Sequence, residues 1–328
     1  MFCAEVSTMT KTKKTLQRYE RTHLKVVWAM DALGGGLNLS QSGAAAVLKS
    51  LGAKAALEII PVFVLNLVDL ELWSEATALD IDDYQPAALR NMKRALASVK
   101  FLKTAPPQIL KPKVLARRDA ALTLADHARK VNADLIICDT HGRKGLARLI
   151  LGSFAETLVL CSSVPVISCN PLARKVHPMK DILFVTDLSK ESHRAFRRVL
   201  KLAGALNAKV TMLHAVPIPA NPVMESGAAL LGGAWVPLGT YFSTESQAQK
   251  KRANAWVVQA RKAGVPCEAI IATRVPSVTA AVEATVRRIK PALVACTAQS
   301  SRVQAVLLGS ITRNLLRRMQ VPVLVTRP

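Results

Sequence analysis

The chain has 328 residues, half of them hydrophobic and only 4% aromatic, with a formal net charge of +23. At about 150 residues per domain, that aliphatic content fills two ordinary cores, which excludes wholesale disorder. The longest nearly apolar stretch, Ile59 to Leu70, contains Pro61, Asn66 and Asp69. It is too short and too interrupted to cross a bilayer, so no membrane span is expected.

Residues 1–22 read as a mobile basic arm, with Lys11, Lys13, Lys14, Arg18 and Arg21 and no apolar signal-peptide core. Short apolar runs then predict strands near 25–30, 56–65, 109–116, 134–138 and 164–168, separated by helical patterns. The first ends at Asp31, and Gly34-Gly35-Gly36 after it reads as a flexible connection. A second series predicts strands at 182–187, 209–216, 267–272, 292–297 and 321–326. Its helices fall after the N-cap Ser189, over 245–263, over 277–289 and after Ser310. Residues 217–243 carry four prolines and several glycines around Leu230-Leu231-Gly232-Gly233-Ala234-Trp235. They read as an irregular insertion, either a lid over its own domain's pocket or a linker.

The two series are copies of one another. Asp31 and Asp187 each end a first strand and stand 121 and 122 residues before the glycines of Leu151-Gly152-Ser153 and Leu308-Gly309-Ser310. Each glycine is followed 12 residues later by Val-Pro-Val, at 164–166 and 321–323. Three landmarks in register make a tandem duplication. Five strands alternating with four helices per copy predict an α/β class: two doubly wound, five-stranded parallel sheets.

The charge is uneven: residues 1–170 carry a net +7 and residues 171–328 a net +16. Such a balance favours anionic company, namely nucleic acid, anionic lipid headgroups or a small phosphorylated ligand, or else reads as a merely basic protein. Nucleic acid is disfavoured, because stacking aromatics are few and no reader motif occurs. Six cysteines without CxxC or histidine spacing read as reduced, buried thiols of a cytoplasmic protein with no metal site.

Candidate chemistry gathers at glycine-led helix starts. Gly142-Arg143-Lys144-Gly145 followed by Gly152-Ser153 suits a phosphate at a helix N-terminus. Equally, Ser153 and Glu156 fit a capping box that needs no ligand. In the second copy Arg313 stands where the first has Glu156. A cation in a first turn opposes the helix dipole, which points weakly to a bound anion. Asp31 and Asp187 could accept from a ligand's amino group or simply cap the next helix. No P-loop, dinucleotide fingerprint or nucleophile elbow is present, and no catalytic residue is assigned.

Together Val185-Thr186-Asp187-Leu188-Ser189, the run from Asp134 to Ser153 and the Val-Pro-Val strands resemble the universal stress protein family, over roughly 23–171 and 178–328, the second domain bearing the 217–243 loop. Relatives of this kind have the doubly wound fold, pair through their last strands and are chiefly non-catalytic stress-response proteins. The resemblance therefore implies an internal pseudo-dimer through 164–168 and 321–326, with further homo-oligomers left open. It implies an adenine nucleotide, ATP or AMP, with Mg²⁺ for a triphosphate, held in domain 1 by Asp31, Val62, Gly142, Gly152, Ser153 and Phe154. The matching domain 2 positions are Asp187, Ala215, Gly309, Ser310 and Arg313. Asp139 replaces the family's first glycine in copy one, and Cys296 and Gln299 replace the first two in copy two. Two alternatives follow: a larger anionic or lipid-like ligand of domain 2 beneath 217–243, or nucleic acid on the basic surface. For ATP hydrolysis the sequence offers no candidate base.

Overall fold

The computed structural model describes residues 23–33, 42–77, 83–139, 153–169, 176–218, 228–231, 234–298 and 308–328; the basic arm lies outside them. The first copy comprises β1 (His23–Ala29), α1 (Gly43–Gly52), β2 (Ala56–Val64), α2 (Leu67–Thr77), α3 (Tyr84–Ala97), β3 (Lys103–Thr104), β4 (Gln108–Leu110), α4 (Arg117–Lys130), β5 (Leu135–Asp139), α5 (Ser153–Cys161) and β6 (Val166–Cys169). The second comprises β7 (Asp181–Val185), α6 (Lys190–Leu206), β8 (Lys209–Pro217), β9 (Ala228–Leu231), β10 (Ala234–Pro237), α7 (Leu238–Lys262), β11 (Cys267–Val275), α8 (Val278–Ile289), β12 (Leu293–Thr297), α9 (Ser310–Arg318) and β13 (Val323–Thr326).

One sheet runs through both copies in the order β11-β8-β7-β12-β13-β6-β5-β1-β2-β3, with β4 also on β2. Every neighbouring pair is parallel except β13 with β6, which meet antiparallel in the register Leu324↔Ile167. The last strands thus join the copies into the expected pseudo-dimer. Strand order reverses between β1 and β5, and between β7 and β12. Ligands of doubly wound sheets sit at such switch points, beyond the strand C-termini.

The repeat extends to single bonds. Pro165 and Pro322 open the last strands, where a missing N–H costs least. Their carbonyls accept from Ile136 (2.9 Å) and Val294 (3.0 Å). Each sheet face buries one apolar cluster spanning both copies: one under α1, α3, α6 and α7 with Trp28, Phe184 and Phe196, the other under α4, α5, α8 and α9. Buried aliphatic area of this kind contributes about 25 cal/mol per Å².

Three local expectations are corrected. The third strand of copy one is not 109–116 but two short pieces, β3 and β4, broken at Pro106-Pro107, which have no N–H to give the ladder. Copy one also has five helices among the described residues, because α2 and α3 stand where one helix was expected. Residues 217–243 are not irregular throughout. Strands β9 and β10 pair antiparallel, and α7 starts at Leu238 instead of 245. A two-residue diglycine connection between apolar runs is a strong hairpin signal.

Candidate functional site

In the second copy the switch point is lined by a polar network. β7 leads into Thr186 and Asp187, and Leu188 then adopts φ +57, a left-handed conformation rare for leucine. Side chains hold that turn. Leu188 N–H donates to Thr186 Oγ1 (2.9 Å) and Ser189 N–H to Asp187 Oδ1 (3.0 Å). The Ser192 hydroxyl also donates to Asp187 Oδ1 and lies 3.4 Å from Thr297 Oγ1. Ser189 caps α6 by accepting from Ser192 N–H at 3.1 Å. Asp187 is exposed, and its Oδ2 has no partner among the described residues.

Two neighbours extend the network. His214 Nδ1 lies 2.9 Å from the Thr186 carbonyl, so β8 fixes the end of β7. Thr312, inside α9, donates to the Thr297 carbonyl at 2.9 Å. Helix α9 begins at Gly309 with no side-chain cap and no acid in its first turn. Such a terminus presents free N–H groups and the positive end of the dipole.

In the first copy the same corner is organised differently. Ser42 caps α1, accepting from Ala45 N–H at 3.2 Å. Asp139, at the end of β5, crosses the switch point and accepts from Ala44 N–H at 3.0 Å. The approach is close: a Cβ on Gly43 would lie 2.8 Å from Cys169 Cβ and 3.3 Å from Asp139 Oδ1. Asn91 of α3 donates to the Ala32 carbonyl at 2.8 Å, fixing the backbone just after Asp31.

Register fixes which residues correspond. Val26↔Leu135 and Ile182↔Leu293 are matched pairs, which makes Asp31 and Asp187 equivalent. By the same count Asp139 corresponds to Thr297, one residue beyond Cys296. Neighbouring strand residues face opposite sides of a sheet, so the slip matters. Cys296 is buried in the core under α8 and α9, whereas Thr297 meets Ser192 of α6. Likewise Val62 corresponds to Leu213 and not to Ala215, whose counterpart is Val64. Val62 is wholly buried in the core.

The remaining predicted residues fall as follows. Gly142 and Gly152 lie outside the described residues, as does Gln299. Ser153 starts α5, and Phe154 beside it is half-buried against the second core. Gly309 is half-buried and Ser310 exposed at the first turn of α9. Arg313 does not await an anion: its Nε and Nη2 stand 2.8 and 2.6 Å from Glu156 Oε1. The unfavourable first-turn cation is thus matched by the acid at the equivalent position of the other copy. Ser192, Thr297, Thr186 and His214 were missed by sequence reasoning. The Ser189–Ser192 spacing, a serine three residues after a cap, was the available signal.

Burial governs the thiols. It pushes Cys138 and Cys296 up to about 12 and Cys267 to about 11, and raises Cys169 well above its ordinary value of 9.0, with Asp139 adding repulsion at Cys169 and Cys138. These cysteines behave as small hydrophobic residues, and Cys161 is exposed. Among the described residues no group of three or more His, Cys, Asp or Glu could hold a metal ion. No described helix is long and apolar enough to cross a membrane.

Comparison with known proteins agrees with this architecture. A universal stress protein from Archaeoglobus fulgidus superimposes with a TM-score of 0.54 at 17% identity, covering 92% of this chain and 98% of its own. A functionally unknown protein from Pseudomonas aeruginosa PAO1 gives 0.56 at 13% identity, covering 93% and 92%. A putative universal stress protein from Pseudomonas aeruginosa UCBPP-PA14 gives 0.54 at 14% identity, covering 94% of each. No curated protein matches the chain. The universal stress protein family profile matches twice, over residues 30–169 and 178–327. With two such matches joined through their last strands, the chain belongs to the universal stress protein family as a tandem member.

Proposed function

We propose that the protein is a non-catalytic cytoplasmic stress-response sensor that binds an adenine nucleotide weakly in domain 1. The observation that carries this reading is Asp31, which follows β1 at the switch point facing the end of β5. An acid there suits an exocyclic amino group, and Gly142, Gly152 and Ser153 have the spacing of a phosphate loop. Asp139 is not a bare carboxylate opposing phosphates, because it is bonded to the first turn of α1. Its oxygen nevertheless takes an N–H that a phosphate could otherwise use, so weak binding is expected. The hydroxyls of Ser189 and Ser192 take part in cap and turn bonds.

Calorimetry of the full chain with ATP and AMP at millimolar concentration tests the reading. Heat abolished by Asp31→Ala and increased by Asp139→Gly supports it, and no heat with either nucleotide refutes it. A second reading, a nucleotide held in domain 2, is favoured by the uncapped start of α9, which suits a phosphate, and by the free oxygen of Asp187, which suits an amino group. Heat that survives Asp31→Ala but not Ser310→Asp would assign the nucleotide to that copy.

A further inference from the structure

A concavity lies away from Asp31, at the N-terminal ends of β1, β5 and β6, where the first copy meets α6 of the second. This groove encloses about 740 Å³. Its apolar walls come from both copies: Leu24, Leu135 and Val164 from the first, Leu202, Ala205 and Leu324 from the second. A cavity of that size lies within the range that accepts small organic ligands, about 300–1,000 Å³. The one acid in the wall is already offset: Asp134 accepts from Lys25 N–H at 3.0 Å and lies 3.7 Å from Lys201 Nζ.

A smaller cavity of about 360 Å³ adjoins it along the same helix. Arg197 lines both, and a 2.6 Å hydrogen bond between His193 of the smaller and Gln259 of the larger marks the boundary. The smaller cavity is lined by Lys190, Arg194 and Arg197, with Trp256 opposite and no acid. None of these three cations has an ion-pair partner among the described residues. They stand on successive turns of one α6 face, where like charges repel one another. An anion seated among them would relieve that repulsion.

We propose that the two cavities form one site for an amphiphilic anion, its alkyl body in the larger and its carboxylate or phosphate among Lys190, Arg194 and Arg197. The apolar part requires a chain, because an inorganic anion leaves the larger cavity unused. The cationic part requires a charge, because a neutral amphiphile leaves three cations unmatched. This inference is independent of any nucleotide bound at Asp31.

The test is calorimetric titration of the full chain with dodecanoate and with dodecyl phosphate below their micellar concentrations, beside inorganic phosphate and octyl glucoside. The dodecyl anions are expected to bind at least tenfold more tightly than either comparator. A preference between the two names the head group. Arg194→Glu with Arg197→Glu, and separately Ala263→Trp at the exposed rim of the larger cavity, should each weaken binding at least tenfold. Both variants alter exposed positions, and circular dichroism verifies that their unfolding midpoints are kept. Equal affinity for inorganic phosphate or octyl glucoside, no heat with the dodecyl anions, or undiminished binding in both variants overturns the proposal.

Discussion

Reversing either charge of the Glu156–Arg313 pair should loosen the contact between the two copies, and reversing both should restore it. The residues occupy the same position, the fourth, of the equivalent helices α5 and α9. In a symmetric dimer they would be two like charges facing one another; here they differ, and the guanidinium reaches one carboxylate oxygen at 2.6 and 2.8 Å. Side-chain exposures of 34% and 25% place the pair between a surface bridge and a buried one. It should therefore contribute about 1–1.5 kcal/mol, between the exposed-pair value and that of a charged hydrogen bond. A single reversal replaces this attraction with a comparable repulsion, about 2–3 kcal/mol in all. Helix dipoles split the two variants: Arg313→Glu gains up to about 1 kcal/mol at the start of α9, while Glu156→Arg loses as much at α5. The unfolding entropy of a chain this long is about 0.7 kcal/mol/K, so 1 kcal/mol shifts the midpoint by roughly 1.5 °C. Glu156→Arg should then lower the midpoint by about 4–6 °C, Arg313→Glu by about 2–3 °C, and the double variant by less than about 1 °C. Thermal unfolding followed by circular dichroism in low and molar salt reads the cycle, and salt should shrink the coupling. Additive single effects, with coupling under about 0.3 kcal/mol, would refute the reasoning.

Other consequences can be checked in the same protein. Gly43→Ala sets a methyl group against the Cys169 Cβ, and a cost of about 1–3 kcal/mol is expected in denaturant titration. Asp139→Ala removes the acceptor of Ala44 N–H and should cost about 1 kcal/mol, with a native fold retained by circular dichroism. Among the described cysteines only exposed Cys161 should react with a thiol reagent at neutral pH, and mass mapping that found rapid labelling of Cys138 or Cys296 would contradict their burial. These two thiols titrate higher folded than unfolded, so their contribution is whole below the ordinary value of 9.0 and is lost as pH rises towards about 12. Each should steepen alkaline destabilisation by about 1.4 kcal/mol per pH unit over that window, and Cys296→Ala should flatten the stability profile there.

What could be read from the sequence, and what could not, follows from the range of the forces concerned. The duplication and parallel strands were legible because burial on both faces writes a continuous apolar run, as in Ile182 to Val185. Asp31 and Asp187 were legible as equivalents because each ends such a run. Across loops that reasoning failed, since a loop length is not recorded by any periodicity. Counting back from Gly309 reached Cys296, while the strand ladder selects Thr297, and one residue exchanges a buried core thiol for a hydroxyl at the site. Arg313 was misread for a related reason. Its charge conflicts with its own helix, a local sign of a missing anion, but the anion is a side chain 157 residues away in the other copy. The same logic separates the two corners. Copy one brings Asp139 to the start of α1, whereas copy two has Thr297 at the matching place beside α6, whose first turn is bonded instead to Asp187 and Ser189. The copies differ at matched positions, Asp139 with Thr297 at the candidate sites and Glu156 with Arg313 at their contact. The charges that differ between the copies therefore mark where the tandem protein has departed from a symmetric dimer, once between the candidate pockets and once in the contact that joins the copies.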